Sequence, residues 1–274
     1  MNTYLAMTKS NKHWHGEKIN LEQVLKEKGN KDNTKAAFYE RICAYQKNWT
    51  TAKMNLYKHY FNQYYKPEHF VAATRLSFIV ESQTPIVIGD GHSVLETSLA
   101  LHRIYGVPYL PATALKGVAS HYVHRQLGDQ YPTLKRTGDD FGILFGTPTS
   151  AGFVQFHDAL PTPKSVEHAL RQDVLTPHHQ DYNGIIVEPY HKGLDYKAPR
   201  DDDSPIPVPF LTASACFQIV LTCEGEPEQA TKWLSLAKTI LLGALNTEGI
   251  GGKTNAGYGR LLEIEQISDE KEGK

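Results

Sequence analysis

Alternation of apolar and polar positions predicts four strands in this chain, because successive side chains of a strand point to opposite faces. In the first strand, Leu76, Phe78 and Val80 fall on one face, and a Gly-Asp-Gly turn ends it. The first predicted strand begins at Arg75. The other three span 152–160, 213–223 and 258–267.

Apolar residues at helical spacing predict two helices, over 112–127 and 226–246. Pro111 favours the start of the first one. A looser helical pattern covers 35–65, and the apolar segment 141–146 is interpreted as a short turn. The stretch 161–209 is rich in Pro, His and Asp, too irregular for a regular element and too long for a simple loop, which predicts a functional insertion.

The predicted order is βαβ, insertion, βαβ, which is typical of the split βαβ plait. The expected fold class is α+β, with a ferredoxin-like (RRM-like) core: an antiparallel sheet with both helices on one face. The open face of such a sheet commonly supports single-stranded RNA, although a fold alone does not establish function. We expect a helical extension over 1–70 and the ferredoxin-like domain over 71–274, with the insertion at about 161–209.

Composition narrows the classes of partner and site. The 29 Lys and Arg residues nearly balance the 30 Asp and Glu residues, so no long-range positive field attracts nucleic acid and any RNA contact must be local. Three cysteines without a CxxC spacing suggest neither a disulfide framework nor a cysteine zinc site. No apolar run has the length of a signal peptide or of a membrane span, about 18 residues. We expect a cytoplasmic protein with no membrane partner, metal or cofactor.

The segment GIGGKTNAGYGR after the second predicted helix carries the most chemical information. Its five glycines permit close backbone approach, and successive main-chain N–H groups in such a loop can form an anion-binding nest. Lys253 and Arg260 add charge, while Thr254 and Asn255 add donors, so a phosphodiester backbone is a natural occupant. It is not a P-loop, because the Lys-Thr pair follows a helix and precedes a strand. The alternative is a turn in which Gly249 merely caps the helix.

This loop, together with YGVPYLPATALKGVASHY at 105–122, resembles the RAMP superfamily of CRISPR-associated proteins. The segments GHSVLETSLALHRIYG, FGILFG, SAGFVQFHDALP and DVLTPHH are similar to the sixth-subunit family of the Cmr complex, the type III-B effector. The resemblance covers about 75–267. The helix start departs from the usual pattern, with Ala112 and Ala114 where glycine and serine are common, but Lys116 is retained.

The resemblance implies an RNA-binding, non-catalytic structural subunit that contacts the 3′ side of the guide crRNA and caps the RNA-binding backbone filament in antiviral defence. Its implied partners are crRNA, target RNA and other Cmr subunits, with no small-molecule substrate. Lys116 lies near a helix N-terminus, where the helix dipole also favours anions. The predicted RNA-binding residues are Lys116, Arg125, Gly251, Gly252, Lys253, Thr254, Asn255, Gly257, Tyr258 and Arg260.

Two other functions stay open on the sequence. An endoribonuclease would need an acid–base pair, and Asp90, His92 and Glu96 in the loop after the first strand are the candidates. We prefer a local turn role for Asp90, since Asp is common in such turns and the subunit resembled is not the one that cuts RNA. The other is a protein-interaction scaffold, in which the extension and the insertion dock neighbours. His178 and His179 are adjacent, would point to opposite faces and suit a shared metal poorly.

Overall fold

The computed structural model describes residues 2–8, 34–70, 74–89, 99–176 and 207–265. Helices α1 to α6 span Thr3–Thr8, Thr34–Lys47, Thr51–Tyr64, Ala112–Tyr122, Asp139–Phe145 and Pro227–Thr247. Strands β1 to β7 span Thr74–Ser82, Val154–Phe156, Leu160–Pro161, Leu170–Leu175, Val208–Ala213, Cys216–Cys223 and Leu261–Ile264. Within these ranges no helix has the length and hydropathy that crossing a bilayer requires.

The main sheet is antiparallel, with strand order β2-β6-β1-β7 and β3 beside β6. Helix α4 lies in the chain between β1 and β2, and α6 lies between β6 and β7. The two helices pack against each other, and α6 packs on β1, β6 and β7. A second sheet pairs β4 with β5. The fold is therefore mixed α/β with antiparallel sheets. It contains the predicted order around α4 and around α6, together with elements that the sequence did not predict.

Helix α6 supplies one side of the core. Its residues Leu234, Ala237 and Leu241 recur at helical spacing and are all buried. They face the sheet, where Phe78 of β1 and Phe217 of β6 are also buried in the same cluster. Burying one apolar stripe of a long helix on one face of a sheet is how such two-layer folds exclude water. The helix predicted over 226–246 is confirmed to within one residue at each end.

The opposite face of the sheet is partly covered by α3. Tyr57 and Tyr65 pack with Leu160 and Val220, whose side chains point away from α6. The hydroxyl of Tyr65 accepts the Leu160 N–H at 2.8 Å and donates to the Gln218 carbonyl at 2.9 Å. The open face of such a sheet commonly supports single-stranded RNA, but this chain's own helix occupies part of it.

The other N-terminal helices also pack into the core. Met7 of α1 and Phe38, Tyr39 and Ile42 of α2 are buried in the cluster that includes Phe217. Helix α2 lies against the β4–β5 sheet. The helical pattern over 35–65 corresponds to two helices, α2 and α3, while the helical extension over 1–70 and its division from a domain stay predictions.

Three predictions about local elements were wrong. The apolar turn expected at 141–146 is helix α5, because Phe141, Leu144 and Phe145 lie at helical spacing and are buried together. The strand expected over 213–223 breaks after Ala213, since the Ser214 N–H donates to Ala169 while β5 turns away to pair with β4. Residues 161–209 were expected to be irregular, yet β4 and the start of β5 fall within them.

Other elements are shorter than predicted. The strand expected over 152–160 is two short strands, β2 and β3. The helix expected over 112–127 ends at Tyr122 and continues as the π-helical turn Val123–Leu127. The last strand begins at Leu261 because the preceding residues belong to the glycine-rich loop. Residues 177–206 of the predicted insertion and 266–267 of the last strand lie outside the described residues.

Replacement of Tyr65 by Phe tests the packing of α3 on the sheet. It leaves the buried Leu160 N–H without its acceptor, so we expect the free energy of unfolding to fall by about 1–3 kcal/mol in urea titrations. Tyr131→Phe is the matched control, because that ring is half exposed, and we expect it to stay within about 0.5 kcal/mol of wild type. Equal stability of both variants would contradict the described role of Tyr65.

Candidate RNA-binding site

The glycine-rich loop, residues 249–260, adopts a conformation that only glycine tolerates at several positions. Positive φ angles occur at Gly249 (78°), Gly251 (94°), Gly257 (88°) and Gly259 (80°). A Cβ atom on Gly251 would overlap the Val87 carbonyl oxygen, and one on Gly259 would overlap that of Ile250. These two glycines therefore permit backbone contacts that any side chain would block.

Main-chain hydrogen bonds fix the loop to the segment that follows β1. The Gly252 N–H donates to the Val87 carbonyl at 2.6 Å, and the Gly259 N–H donates to the Pro85 carbonyl at 2.8 Å. Within the loop, the Ile250 N–H donates to the Gly259 carbonyl at 2.9 Å. The base of the loop is thus closed by backbone contacts, while its tip, residues 251–257, is mostly exposed.

The tip presents three main-chain donors. Lys253 is left-handed, with φ 61° and ψ 24°, and the 3-10 turn Thr254–Ala256 follows it. A left-handed residue followed by right-handed ones turns successive N–H groups to the same side, which creates a concave anion site. Within the described ranges, the N–H groups of Lys253, Thr254 and Asn255 have no hydrogen-bond acceptor. Among non-glycine residues a positive φ is uncommon, and functional sites are where such strain concentrates.

The β4–β5 sheet supports one side of the loop. The Tyr258 hydroxyl donates to Asp173 of β4 at 2.7 Å, and its ring lies 6.1 Å from that of Phe210. Burial and this bond to Asp173 raise the pKa of Tyr258 to about 12. The Lys253 ammonium lies 5.6 Å from the centroid of the Phe210 ring. The β4–β5 sheet thus contacts both the Tyr258 and the Lys253 side chains.

Arg260 makes structural hydrogen bonds in addition to carrying a positive charge. Its Nη1 donates to the Asn246 carbonyl at 3.0 Å, near the end of α6, and its N–H donates to the Thr84 hydroxyl at 3.0 Å. The bond from Nη1 satisfies a carbonyl that the helix end would otherwise leave without a donor. Arg260 therefore joins the end of α6 to the segment after β1.

The remaining predicted cations lie elsewhere. Lys116 lines an open cleft of about 670 Å³ that contains no residue of the glycine-rich loop. Arg125 is exposed in the π-helical turn after α4. The structure brings together the predicted residues between Gly251 and Arg260, but it places Lys116 on a separate surface.

Sequence reasoning missed residues that position these groups. The Asp158 carboxylate accepts the Ala112 N–H at 2.7 Å and so holds the first turn of α4. Asp173 approaches the loop from the segment 161–209, which was predicted to be irregular, and Phe210 directly follows that segment. No local pattern signals these residues, because each contacts a segment that is distant in the sequence.

The weak catalytic candidates Asp90, His92 and Glu96 lie outside the described residues, as do His178 and His179. In the part of the chain that the structure describes, no three His, Cys, Asp or Glu side chains are grouped closely enough to hold a metal ion. The expectations of no metal and no catalytic residue stay predictions.

The amino-acid sequence matches the model of a known protein family over the region that contains this loop. The model of the RAMP superfamily matches residues 79–262, which is more than half of the 274 residues. This chain belongs to the RAMP superfamily. The matched region contains the end of β1, all of α4 and α6, and the whole glycine-rich loop.

Two curated RAMP relatives are similar over most of the chain. The CRISPR system Cmr subunit Cmr6 of Pyrococcus furiosus is 29% identical, with 76% of this chain and 73% of that protein aligned. Cmr6 of Saccharolobus solfataricus is 25% identical, with 77% and 65% aligned. A chain from the cryo-EM structure of the type III-B Cmr-beta bound to cognate target RNA superposes with a TM-score of 0.57 at 20% identity, covering 91% of this chain and 82% of that one. That superposition shows a shared fold.

Alanine substitution of neighbouring glycines tests the closed base of the loop. Gly251→Ala meets both a positive φ and the Val87 carbonyl, so we expect a loss of about 1–3 kcal/mol in the free energy of unfolding. At Gly252, where φ is ordinary and the nearest atom is 3.6 Å away, we expect alanine to cost less than about 0.5 kcal/mol. Chemical denaturation of both variants measures the difference, and equal losses would contradict the described geometry.

Proposed function

We propose that this chain is an RNA-binding structural subunit of a type III-B CRISPR (Cmr) effector complex. In this proposal it contacts the 3′ side of the guide crRNA, caps the backbone filament of the complex, and has other Cmr subunits and target RNA as partners. The observation that carries the proposal is the set of three main-chain donors at Lys253, Thr254 and Asn255, presented on a loop whose conformation depends on glycine.

The chemistry of the loop tip suits a phosphodiester group. An anionic oxygen there would meet main-chain N–H donors on a loop that also carries the Lys253 charge. Hydrogen bonds to charged groups are about twice as strong as neutral ones. These donors recognise the backbone of a nucleic acid and not its sequence. Such contacts suit a subunit that must accept guides of many sequences.

The proposed assembly role rests on the relatives. Both curated proteins carry the name Cmr6, and the superposed chain comes from a Cmr complex with target RNA. The net charge of −1 agrees with a subunit that shares an RNA-binding surface with neighbours, because a lone RNA-binding protein usually has a positive field.

We also propose that the core is ferredoxin-like. The strand order β2-β6-β1-β7, with helices between β1 and β2 and between β6 and β7, supports this assignment. In many such folds the sheet face carries RNA, but α3 covers part of that face here. The loop at the end of the sheet is therefore the better RNA site.

The proposal gives the chain no catalytic role. The glycine-rich loop offers main-chain donors and cations, which bind and orient phosphates. Cleavage would additionally need a general acid and base within reach of the scissile phosphate. No contact described at the loop favours the endoribonuclease alternative over binding.

Salt titration of RNA binding tests the loop. For single strands, log affinity falls with log salt by about 0.7 per phosphate contact. We expect Lys253→Ala to lower this slope by roughly one contact, measured by fluorescence anisotropy with single-stranded RNA of several sequences. The loss should be similar for every sequence, since the contact is to phosphate.

Lys232→Ala is the matched control. Lys232 lies on the exposed side of α6 and pairs with Glu228 at 2.8 Å, so its removal changes net charge equally. An unchanged slope in Lys253→Ala, or an equal change in both variants, would contradict the proposed site.

A further inference from the structure

The two most exposed large apolar side chains among the described residues lie on different segments of the chain. Ile104, in the turn 102–106, is 71% exposed, and Leu56 on α3 is 63% exposed. A single exposed apolar residue is ordinary, but a contiguous apolar patch marks an interaction site. Whether these two side chains share a patch depends on the contacts between their segments.

Aromatic rings join the two segments. Tyr60 lies one helical turn after Leu56, so both side chains lie on the same side of α3. The centroid of the Tyr60 ring is 4.8 Å from that of Tyr105 and 5.1 Å from that of His102. The Tyr60 hydroxyl also shares a hydrogen bond of 3.0 Å with His102 Nε2. The side of α3 that carries Leu56 therefore continues onto the turn that carries Ile104.

Helix α1 extends this surface beyond the turn. The Asn2 side-chain amide donates to the Arg103 carbonyl at 2.8 Å and to the Ile104 carbonyl at 2.6 Å. The Leu5 N–H donates to the Asn2 side chain at 3.3 Å, and the Leu5 side chain is 51% exposed. The apolar side chains of these three segments form one surface, named here the α1–α3 surface, which consists of Leu5, Leu56, Tyr60, Ile104 and Tyr105.

The charges beside the α1–α3 surface have one sign. Helices α1 and α3 and the turn 102–106 contain no Asp or Glu. Arg103 is exposed next to Ile104. Lys53 lies one helical turn before Leu56, and its ammonium is 3.9 Å from the centroid of the Trp49 ring. Cations thus flank the apolar side chains, which complements a partner that carries acidic residues beside an apolar stripe.

The most exposed groups of the α1–α3 surface are aliphatic, which favours a protein partner over a nucleic acid. A nucleobase gains affinity by stacking on an accessible aromatic ring. The rings of Tyr60 and Tyr105 are half-buried and pack against each other. An amphipathic helix instead presents apolar side chains at every third or fourth position, and such a stripe packs well on aliphatic side chains.

We propose that the α1–α3 surface docks an acidic amphipathic helix of a protein partner. The apolar stripe of that helix packs on Leu56 and Ile104, and its Asp and Glu side chains lie near Arg103 and Lys53. The α1–α3 surface shares no residue with the glycine-rich loop. The inference therefore goes beyond the proposed RNA-binding function and can fail or succeed separately from it.

Photocrosslinking identifies the occupant of this surface. The full-length tagged chain with Ile104→p-benzoylphenylalanine is recovered from its native host together with its partners and irradiated, and crosslinked peptides are identified by mass spectrometry. We expect crosslinks to a protein segment with apolar residues at helical spacing and Asp or Glu beside them. The same photoreactive residue at Leu236, which is exposed on α6, is the control and should not crosslink to that segment.

Titration of a labelled synthetic peptide of the crosslinked segment, followed by fluorescence anisotropy, then tests each contact. Leu56→Gln and Ile104→Gln should each weaken binding roughly fivefold or more, because each removes buried apolar area. Arg103→Glu should weaken it roughly tenfold at low salt and less at high salt, which screens charge. The matched controls Leu236→Gln and Lys232→Glu should leave the affinity unchanged. Thermal unfolding of each variant shows that the fold persists.

Every other outcome overturns the inference. Crosslinks to RNA, to a second copy of this chain, to its own residues 9–33 or to a basic segment would each identify a different occupant. The absence of protein crosslinks, or equal effects of test and control variants, would show that no helix docks there. If the peptide binds as expected but the wild-type chain retains no RNA, only the proposed function fails. If Lys253→Ala weakens RNA binding but no acidic helix crosslinks, only this inference fails.

Discussion

Backbone contact between the glycine-rich loop and the segment after β1 is the constraint on which the rest of the site depends. The contact needs hydrogen bonds from Gly252 to Val87 and from Gly259 to Pro85, and no side chain would fit at the closest points. Arg260, which directly precedes β7, also bonds to this segment. Its carbonyl accepts the Gln83 N–H at 2.8 Å. The position of β7 beside β1, the end of α6 and the left-handed Lys253 are therefore fixed together.

This constraint explains why binding chemistry is concentrated at the end of the sheet. The sheet itself is buried on one side by α6 and partly covered on the other by α3. Among the described residues at the end of the sheet, the loop tip stays exposed. The tip offers main-chain donors together with one lysine, Lys253. Such local charge agrees with a chain whose net charge is close to zero.

The sequence predicted the features that arise from local patterns. Five glycines in twelve residues indicated the loop, and helical periodicity indicated α6. The sequence did not predict contacts between residues far apart in the chain, such as Tyr258 with Asp173, because no local pattern indicates them. Helix α5 was missed because seven residues are too few for a clear period, and the break after Ala213 was missed because both halves are equally apolar.

Co-purification is the most direct test of the central claim, which is that the chain binds guide RNA through its glycine-rich loop as part of an effector complex. The tagged chain would be recovered from its native host at moderate salt, with sequencing of bound RNA and identification of bound proteins. The account predicts CRISPR guide RNA with a defined 3′ side and other RAMP subunits, with less RNA when Lys253 is replaced by Ala. Recovery without RNA or partner proteins would contradict it and leave the loop as a structural turn.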